Sequence, residues 1–398
     1  MSIAIINIGD SHSGDLKGSR IAGDAVVCAE GGISWIGGSG DVRRADHETT
    51  IDAAGAALIP GFIDSHFHNA FGDYTPRQNA IGYFESYLHG GMTRAISASE
   101  IHVPGRPHDI QGVKALAITA ERCFRNYHPG GVTMHAGSVI LEPGLTSADF
   151  AELKQAGVGL AKAGFGAFDS PMEYAPIVQA AKAAGLIVMC HTGGCSLPDT
   201  KCKIGADEIL AMKPQVAGHV NGGPTALSVE ENARIVAEGK GIALQLVRAG
   251  NFRSALDITQ RAVDSNCLER LLIASDSPTG SGLLTLGMMG LMAELASLGP
   301  ISGRQAIAAA TGSVAAVYGL DAGRIEVGRP ADLLIADAPE GSSAKDAFGA
   351  LEIGDVMAIA AAITGGVVRF ARSRNTPPAI RPVRVLDRSG KVWSTPGH

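Results

Sequence analysis

The sequence predicts an α/β chain, a (β/α)8 TIM barrel with a small β-sandwich domain formed by both termini. Two observations predict the barrel. Short apolar, β-rich runs recur roughly every 25–40 residues with helix-like stretches between them, the pattern of a parallel sheet buried on both faces. No Gly-rich phosphate turn follows the first run, and an open doubly wound sheet would carry one there. A third observation predicts the sandwich: residues 1–56 and the residues from 324 onward alternate short strands with turns. The expected boundaries are therefore 1–56 for one part of the sandwich, 57–323 for the barrel, and 324–398 for the other part and a tail. A chain of 398 residues is long enough for both units.

The first run holds Ala57, Leu58, Ile59, Phe62 and Ile63 and leads into Asp64-Ser65-His66-Phe67-His68; it reads as one buried strand. Runs at 93–98, 132–137, 158–163, 186–191, 216–220, 242–246 and 271–276 complete the eight. Helices are expected at 173–184 and 228–238. In the flanks, strands are expected at 25–28, 31–37, 324–328, 331–335 and 361–370, and 373–378 reads as an irregular extension.

Composition narrows the function. Hydrophobic residues at 45% against charged residues at 18% describe a large buried core. A net charge of −6 argues against a nucleic-acid partner. No apolar run is long enough to span a bilayer, and the first residues lack a basic region followed by an apolar core, so no membrane partner is expected. Cys28, Cys123, Cys190, Cys195, Cys202 and Cys267 form no C-x-x-C pair. They read as free thiols of a reducing compartment, which makes a cytoplasmic location the expectation.

His66 and His68 are two apart on a strand, so both imidazoles face one point. Imidazole is the commonest protein metal ligand. Lys162, His191, His219 and Asp276 follow at the C-terminal ends of later strands, the face where barrel sites are built. Alone, each has an ordinary reading: a hydrogen-bonded core histidine for His219, a helix cap for Asp276, a snorkelling stem for Lys162. Four histidines, a lysine and an aspartate in this order make a metal site the better reading. His135 and His102 do not fit the pattern, and His89 reads as the end of a helix.

These residues resemble the signatures of the amidohydrolase superfamily. The segment 60–68 is similar to its first-strand motif, and 323–334 to its C-terminal motif. The resemblance implies a binuclear centre in which His66, His68 and Asp276 hold one ion, His191 and His219 the other, and Lys162 bridges them. A bridge between two dications must be anionic, so Lys162 is expected to carry an N6-carboxylate. The ions are expected to be zinc, with iron or manganese as alternatives. The resemblance further implies an amide or enamide C–N bond cut by a metal-bridging hydroxide, with Asp276 as the catalytic proton carrier.

The loops at 72–78, 102–107, 190–194, 219–225 and 373–378 are similar to those of the enamidases, hydrolases of a cyclic enamide. That family carries a glutamate at the bridge, where this chain has Lys162. The implied substrate is a small carboxylate-bearing heterocycle, with Arg77 and Arg106 as its anchors. A homo-oligomer is implied as well. The alternatives are a heterocycle deaminase, or a dihydroorotase- or dihydropyrimidinase-like hydrolase of another substrate. A non-catalytic assembly protein is disfavoured, because the ligand set is complete.

Overall fold

The structure, a computed structural model, describes residues 2–68, 77–100, 105–194, 203–223, 225–278 and 282–392, with the backbone alone at 77–81. Two parallel arcs occupy the middle of the chain. Phe62–Phe67, Met92–Ser97 and Thr133–His135 pair in that order. Ser138–Ile140, Leu160–Ala163, Ile187–Cys190, Val216–Ala217, Ala243–Val247 and Leu271–Ala274 form the second arc. The last two strands are buried at every position, as continuous apolar runs require when both faces are covered. At the far end of the chain order the arcs touch: the Asp276 amide donates to the His66 carbonyl at 3.0 Å, and Phe67 bridges Ser277 in parallel.

Amphipathic helices cover the arcs, and the sequence places their starts. Ser228 opens Val229–Glu238 by accepting from the Glu231 amide at 3.2 Å, while the Glu231 carboxylate accepts from the Ser228 amide at 3.1 Å. Asn251 caps Phe252–Asp264 through the Ser254 amide at 2.9 Å. The helix expected at 173–184 forms as Tyr174–Ala183, preceded by the single turn Pro171–Glu173.

Four strand expectations need correction, one of them 361–370, which divides into Ala358–Thr364 and Val367–Phe370 at the turn Gly365-Gly366. The apolar run from Ala57 to Ile63 is two strands. Ala57–Pro60 runs antiparallel to Leu333–Asp337 in a sheet of the flanks, and the parallel strand begins at Phe62. Gly61 makes the break: a Cβ there would lie 2.1 Å from the Thr93 hydroxyl. The run at 132–137 is also divided. Gly137 sits at φ +87°, so Thr133–His135 pairs with the strand before it and Ser138–Ile140 with the strand after it. Residues 324–328 form no strand: a turn at Glu326–Arg329 is closed by the Arg329 amide on the Glu326 carbonyl at 3.1 Å, and the Gly328 amide donates to the Ile33 carbonyl at 2.8 Å.

Both ends of the chain contribute to each of two further five-stranded sheets. One has the order Arg384–Asp387, Thr49–Asp52, Ser2–Ile6, Ala25–Ala29, Gly32–Gly37. The other has the order Val367–Phe370, Ala358–Thr364, Leu333–Asp337, Ala57–Pro60, Asp10–Ser11. Ile5, Val26 and Ile51 of the first share one apolar cluster with Leu58, Leu333 and Ile363 of the second. Among the described residues no helix is long and apolar enough to cross a membrane. Cys28, Cys123, Cys190 and Cys267 are free; Cys195 and Cys202 lie outside the described residues.

Candidate metal centre

His66 lies near the end of the Phe62–Phe67 strand, and His68 just beyond it, so the alternation of a strand aims both rings the same way. Asp276 follows Leu271–Ala274 across the contact between the arcs. His66, His68 and Asp276 are buried, and their ligand atoms lie within 4.8 Å of one another. Asp276 Oδ1 is 3.0 Å from His68 Nε2 and 3.4 Å from His66 Nε2. Asp276 sits at φ +55° and His219 at φ +35°. Such left-handed positions are uncommon for residues other than glycine and collect at functional sites.

Hydrogen bonds tie the groups around the ligands together. Asp64 Oδ1 accepts from the amides of His66 and Ser275, each at 3.1 Å, which ties the first strand to the last. Burial pushes the Asp64 carboxyl up to about 6. Gln245, on the Ala243–Val247 strand, places Oε1 2.6 Å from His66 Nδ1 and accepts the His219 amide at 3.3 Å. Its amide nitrogen donates to the Ser65 carbonyl at 2.9 Å.

A line of rings leads from His66 to the second pair of histidines. His66 and His219 have ring centroids 5.2 Å apart, and His219 and His191 4.5 Å. His191 Nε2 faces the Gly194 carbonyl at 2.7 Å and donates to it, which leaves Nδ1 to carry the lone pair. His191 Nδ1 and His219 Nδ1 are buried without a hydrogen-bond partner among the described residues. Lys162 is 1% exposed, with Nζ 5.6 Å from the centre of the Phe165 ring.

Protonation states follow from this burial. Burial pushes His66 down to about 3 and His191 to about 4, and holds His219 well below its usual value. All three therefore present neutral imidazole at pH 7. Burial raises Asp276, but the nearby His66 and His68 outweigh it and hold the carboxyl well below the usual range. Burial also draws Lys162 down to about 8, against the pull of Asp276. A divalent cation fits this set: neutral imidazoles with unused buried nitrogens beside a carboxylate.

The expected substrate arginines fare differently. Arg106 is turned into the protein, where its guanidinium pairs with the Glu142 carboxylate at 2.6 Å. It also donates to the Pro107 carbonyl at 3.1 Å and to the Phe165 carbonyl. Both partners in the ion pair are buried. Arg77 begins the Arg77–Leu88 helix, but its side chain lies outside what is described, as do the loop residues 69–76 and 101–104 with His102. His89 follows that helix; its ring stacks on Phe370 at 4.1 Å and Nδ1 accepts the Arg374 amide at 3.2 Å, consistent with a structural role. His135 lies on the strand before the Gly137 break and lines a cavity of about 430 Å³ with Tyr318 and Lys154.

Sequence reasoning passed over Gln245 and Asp64. The signal for Gln245 was present: one amide inside the apolar run Ala243-Leu244-Gln245-Leu246-Val247, where a buried polar group must find partners.

No protein-family model matches the chain. It is 43% identical over 388 residues to the enamidase of Eubacterium barkeri, covering 97% of this chain and 100% of that protein. The crystal structure of an enamidase, described as a member of the amidohydrolase superfamily, superposes with a TM-score of 0.91 at 43% identity over 97% of this chain. An imidazolonepropionase of Streptomyces avermitilis is 25% identical over 360 residues, covering 82% of this chain and 84% of that protein. The N-acetylglucosamine-6-phosphate deacetylase of Pasteurella multocida shares the fold, with a TM-score of 0.60 at 16% identity over 92% of this chain and 99% of that one. With His66, His68 and Asp276 brought together as that kinship requires, the chain belongs to the enamidase family of the amidohydrolase superfamily.

Proposed function

We propose that this chain is an enamidase-like, metal-dependent amidohydrolase that opens the C–N bond of a cyclic enamide bearing a carboxylate. The buried meeting of His66, His68 and Asp276, with His219 and His191 continuing the line of rings, is the observation that carries it. The hydrolysis of a cyclic amide rests also on the full-length likeness to an enamidase.

His66, His68 and Asp276 would hold one divalent ion, His191 and His219 a second, and carboxylated Lys162 would bridge them; zinc is the expected metal. When bound, the metal supplies Lewis-acid polarisation of a carbonyl and lowers the pKa of water to roughly 7. Asp276 enters the reaction as a carboxylate, since its histidine neighbours hold its pKa low. It takes the proton of the attacking water and passes it to the ring nitrogen as the C–N bond breaks. The low pKa of Asp276 makes it a weak base when free and a ready acid once protonated. Carboxylation would add carbon dioxide to the neutral Lys162 amine, forming the N–C bond of the carbamate with release of one proton, and burial brings the amine within reach near neutral pH. With Arg106 committed to Glu142, Arg77 is the remaining sequence candidate for the substrate carboxylate.

The two arcs are best read as one closed (β/α)8 barrel. The hydrogen bond from Asp276 to His66 at 3.0 Å supports one seam, and the two-residue gap between His135 and Ser138 supports the other. The shared apolar cluster, to which Leu58 belongs, supports a terminal sandwich that takes in Ala57–Pro60, with the barrel running from Phe62 to residue 323 between its parts. A panel of lactams and cyclic enamides, with and without a carboxylate, tests the function. Ring opening confined to carboxylate-bearing cyclic enamides is the expected result. Deamination of an exocyclic amine without ring opening would replace this reading.

A further inference from the structure

Gln245 contacts the Ser65 carbonyl and hydroxyl, the His219 amide and His66 Nδ1, and two of these establish which way its own amide points. The Ser65 carbonyl, 2.9 Å away, only accepts, so the atom facing it is the amide nitrogen. The His219 backbone N–H, 3.3 Å away, only donates, so the atom facing it is the amide oxygen. The two constraints agree, and neither involves the His66 ring. The same oxygen lies 2.6 Å from His66 Nδ1. An amide oxygen cannot donate, so Nδ1 carries the hydrogen and Nε2 carries the lone pair. That lone pair faces Asp276 Oδ1 across 3.4 Å. Two acceptors directed at each other are stable only with a cation or a proton between them.

We propose that Gln245 is a positioning residue of the metal centre: its oxygen holds His66 in the tautomer that presents Nε2 to the ion. The same oxygen accepts the His219 amide, so one side chain sets His66 against His219, ligands drawn from the two halves of the site. Gln245 is buried and sits on a different strand from either histidine, so its position is determined by the strand pairing and not by the ligands it orients. Hydrogen bonds to the far nitrogen of a ligating imidazole fix its orientation and raise its basicity, and losing one lowers metal affinity by roughly 10–100-fold.

The inference rests on His66 being a metal ligand. The test measures zinc affinity by competition with a chromophoric chelator in the wild-type protein, His66→Ala, Gln245→Leu and Gln245→Glu. Unfolding midpoints are recorded on the same samples. Gln245→Leu removes the acceptor and is expected to bind zinc about 10–100-fold more weakly. Gln245→Glu keeps an acceptor for Nδ1–H and is expected to bind zinc within a few-fold of wild type, although it loses the donor to Ser65 and melts earlier. His66→Ala is expected to lose the ion that His66, His68 and Asp276 would hold, and so to bind fewer zinc ions than wild type. If both Gln245 variants melt earlier but bind zinc as tightly as wild type, Gln245 is only structural and the proposal falls. If His66→Ala binds as many zinc ions as tightly as wild type, the metal reading falls with it. A crystal structure of the zinc-loaded wild-type protein gives an answer free of folding defects: His66 Nε2 on the ion with Nδ1 on Gln245 supports the proposal, and Nδ1 on the ion overturns it.

Discussion

His68 Nε2 stands 3.0 Å from Asp276 Oδ1, although 208 residues separate the two in the chain. The contact joins the end of the first parallel strand to the end of the last. It places a carboxylate beside the His-x-His pair, and, against burial, His66 and then His68 hold that carboxyl well below its usual range. Asp276→Asn keeps the shape and removes the charge and the proton carrier. Ring-opening kcat is predicted to fall by roughly 10²–10⁴, the range for losing a general acid–base. Steady-state kinetics on samples of matched metal content check this, and an unchanged kcat would remove Asp276 from proton transfer.

Lys162→Ala is predicted to lose activity and metal together, because the anionic bridge goes with the side chain. What is missing is a carboxylate, so added formate, acetate or propionate should restore part of the activity by entering the vacated space. Lys162→Glu should retain metal and measurable turnover. Kinetics with and without the added acids decide it; a Lys162→Ala protein with full activity would contradict the bridge.

The parallel strands and every proposed metal ligand were readable in the sequence, because apolar runs and histidines at strand ends are local patterns. What was not readable depended on distant partners. The run from Ala57 to Ile63 is continuous in hydrophobicity, and only the closeness of Thr93 to Gly61 shows where one strand stops. Arg106 is an arginine in a loop rich in Gly and Pro, and nothing local announces that Glu142 will claim it. Gln245 was legible only as a polar residue in an apolar strand; its partners Ser65, His66 and His219 come from two other parts of the chain.

Arg106→Met tests what the pairing with Glu142 does. The Arg106 and Glu142 side chains are 3% and 0% exposed, so the substitution removes the buried cation and leaves the Glu142 carboxylate with the His108 ring at 3.0 Å and the Ala167 amide at 2.7 Å. The cost is predicted at roughly 3–5 kcal/mol of folding stability. Denaturant unfolding of the variant measures it. An unchanged midpoint with a raised KM would return Arg106 to substrate binding.

Acid should destabilise the metal-free protein through its buried histidines. Burial holds His12 and His135 at about 4 and His66 at about 3 in the folded chain. In the unfolded chain histidine titrates near 6.5. Between those values the unfolded chain holds more protons, so stability falls as the pH drops from about 6.5 toward 4 and is constant in this respect above 6.5. Each such histidine contributes a slope of up to about 1.4 kcal/mol per pH unit in that window. Urea midpoints at pH 7.5, 6 and 5 on chelator-treated protein check the direction. Equal midpoints at all three would show that these rings are not buried neutral.

The central claim is a binuclear centre built from His66, His68, Lys162, His191, His219 and Asp276. Elemental analysis of the purified protein tests it most directly, with the Lys162→Ala and His191→Ala variants prepared alongside. The account predicts about two divalent ions per chain in the wild type and a loss of metal in both variants. One ion or none in the wild type, unchanged by His191→Ala, would contradict it.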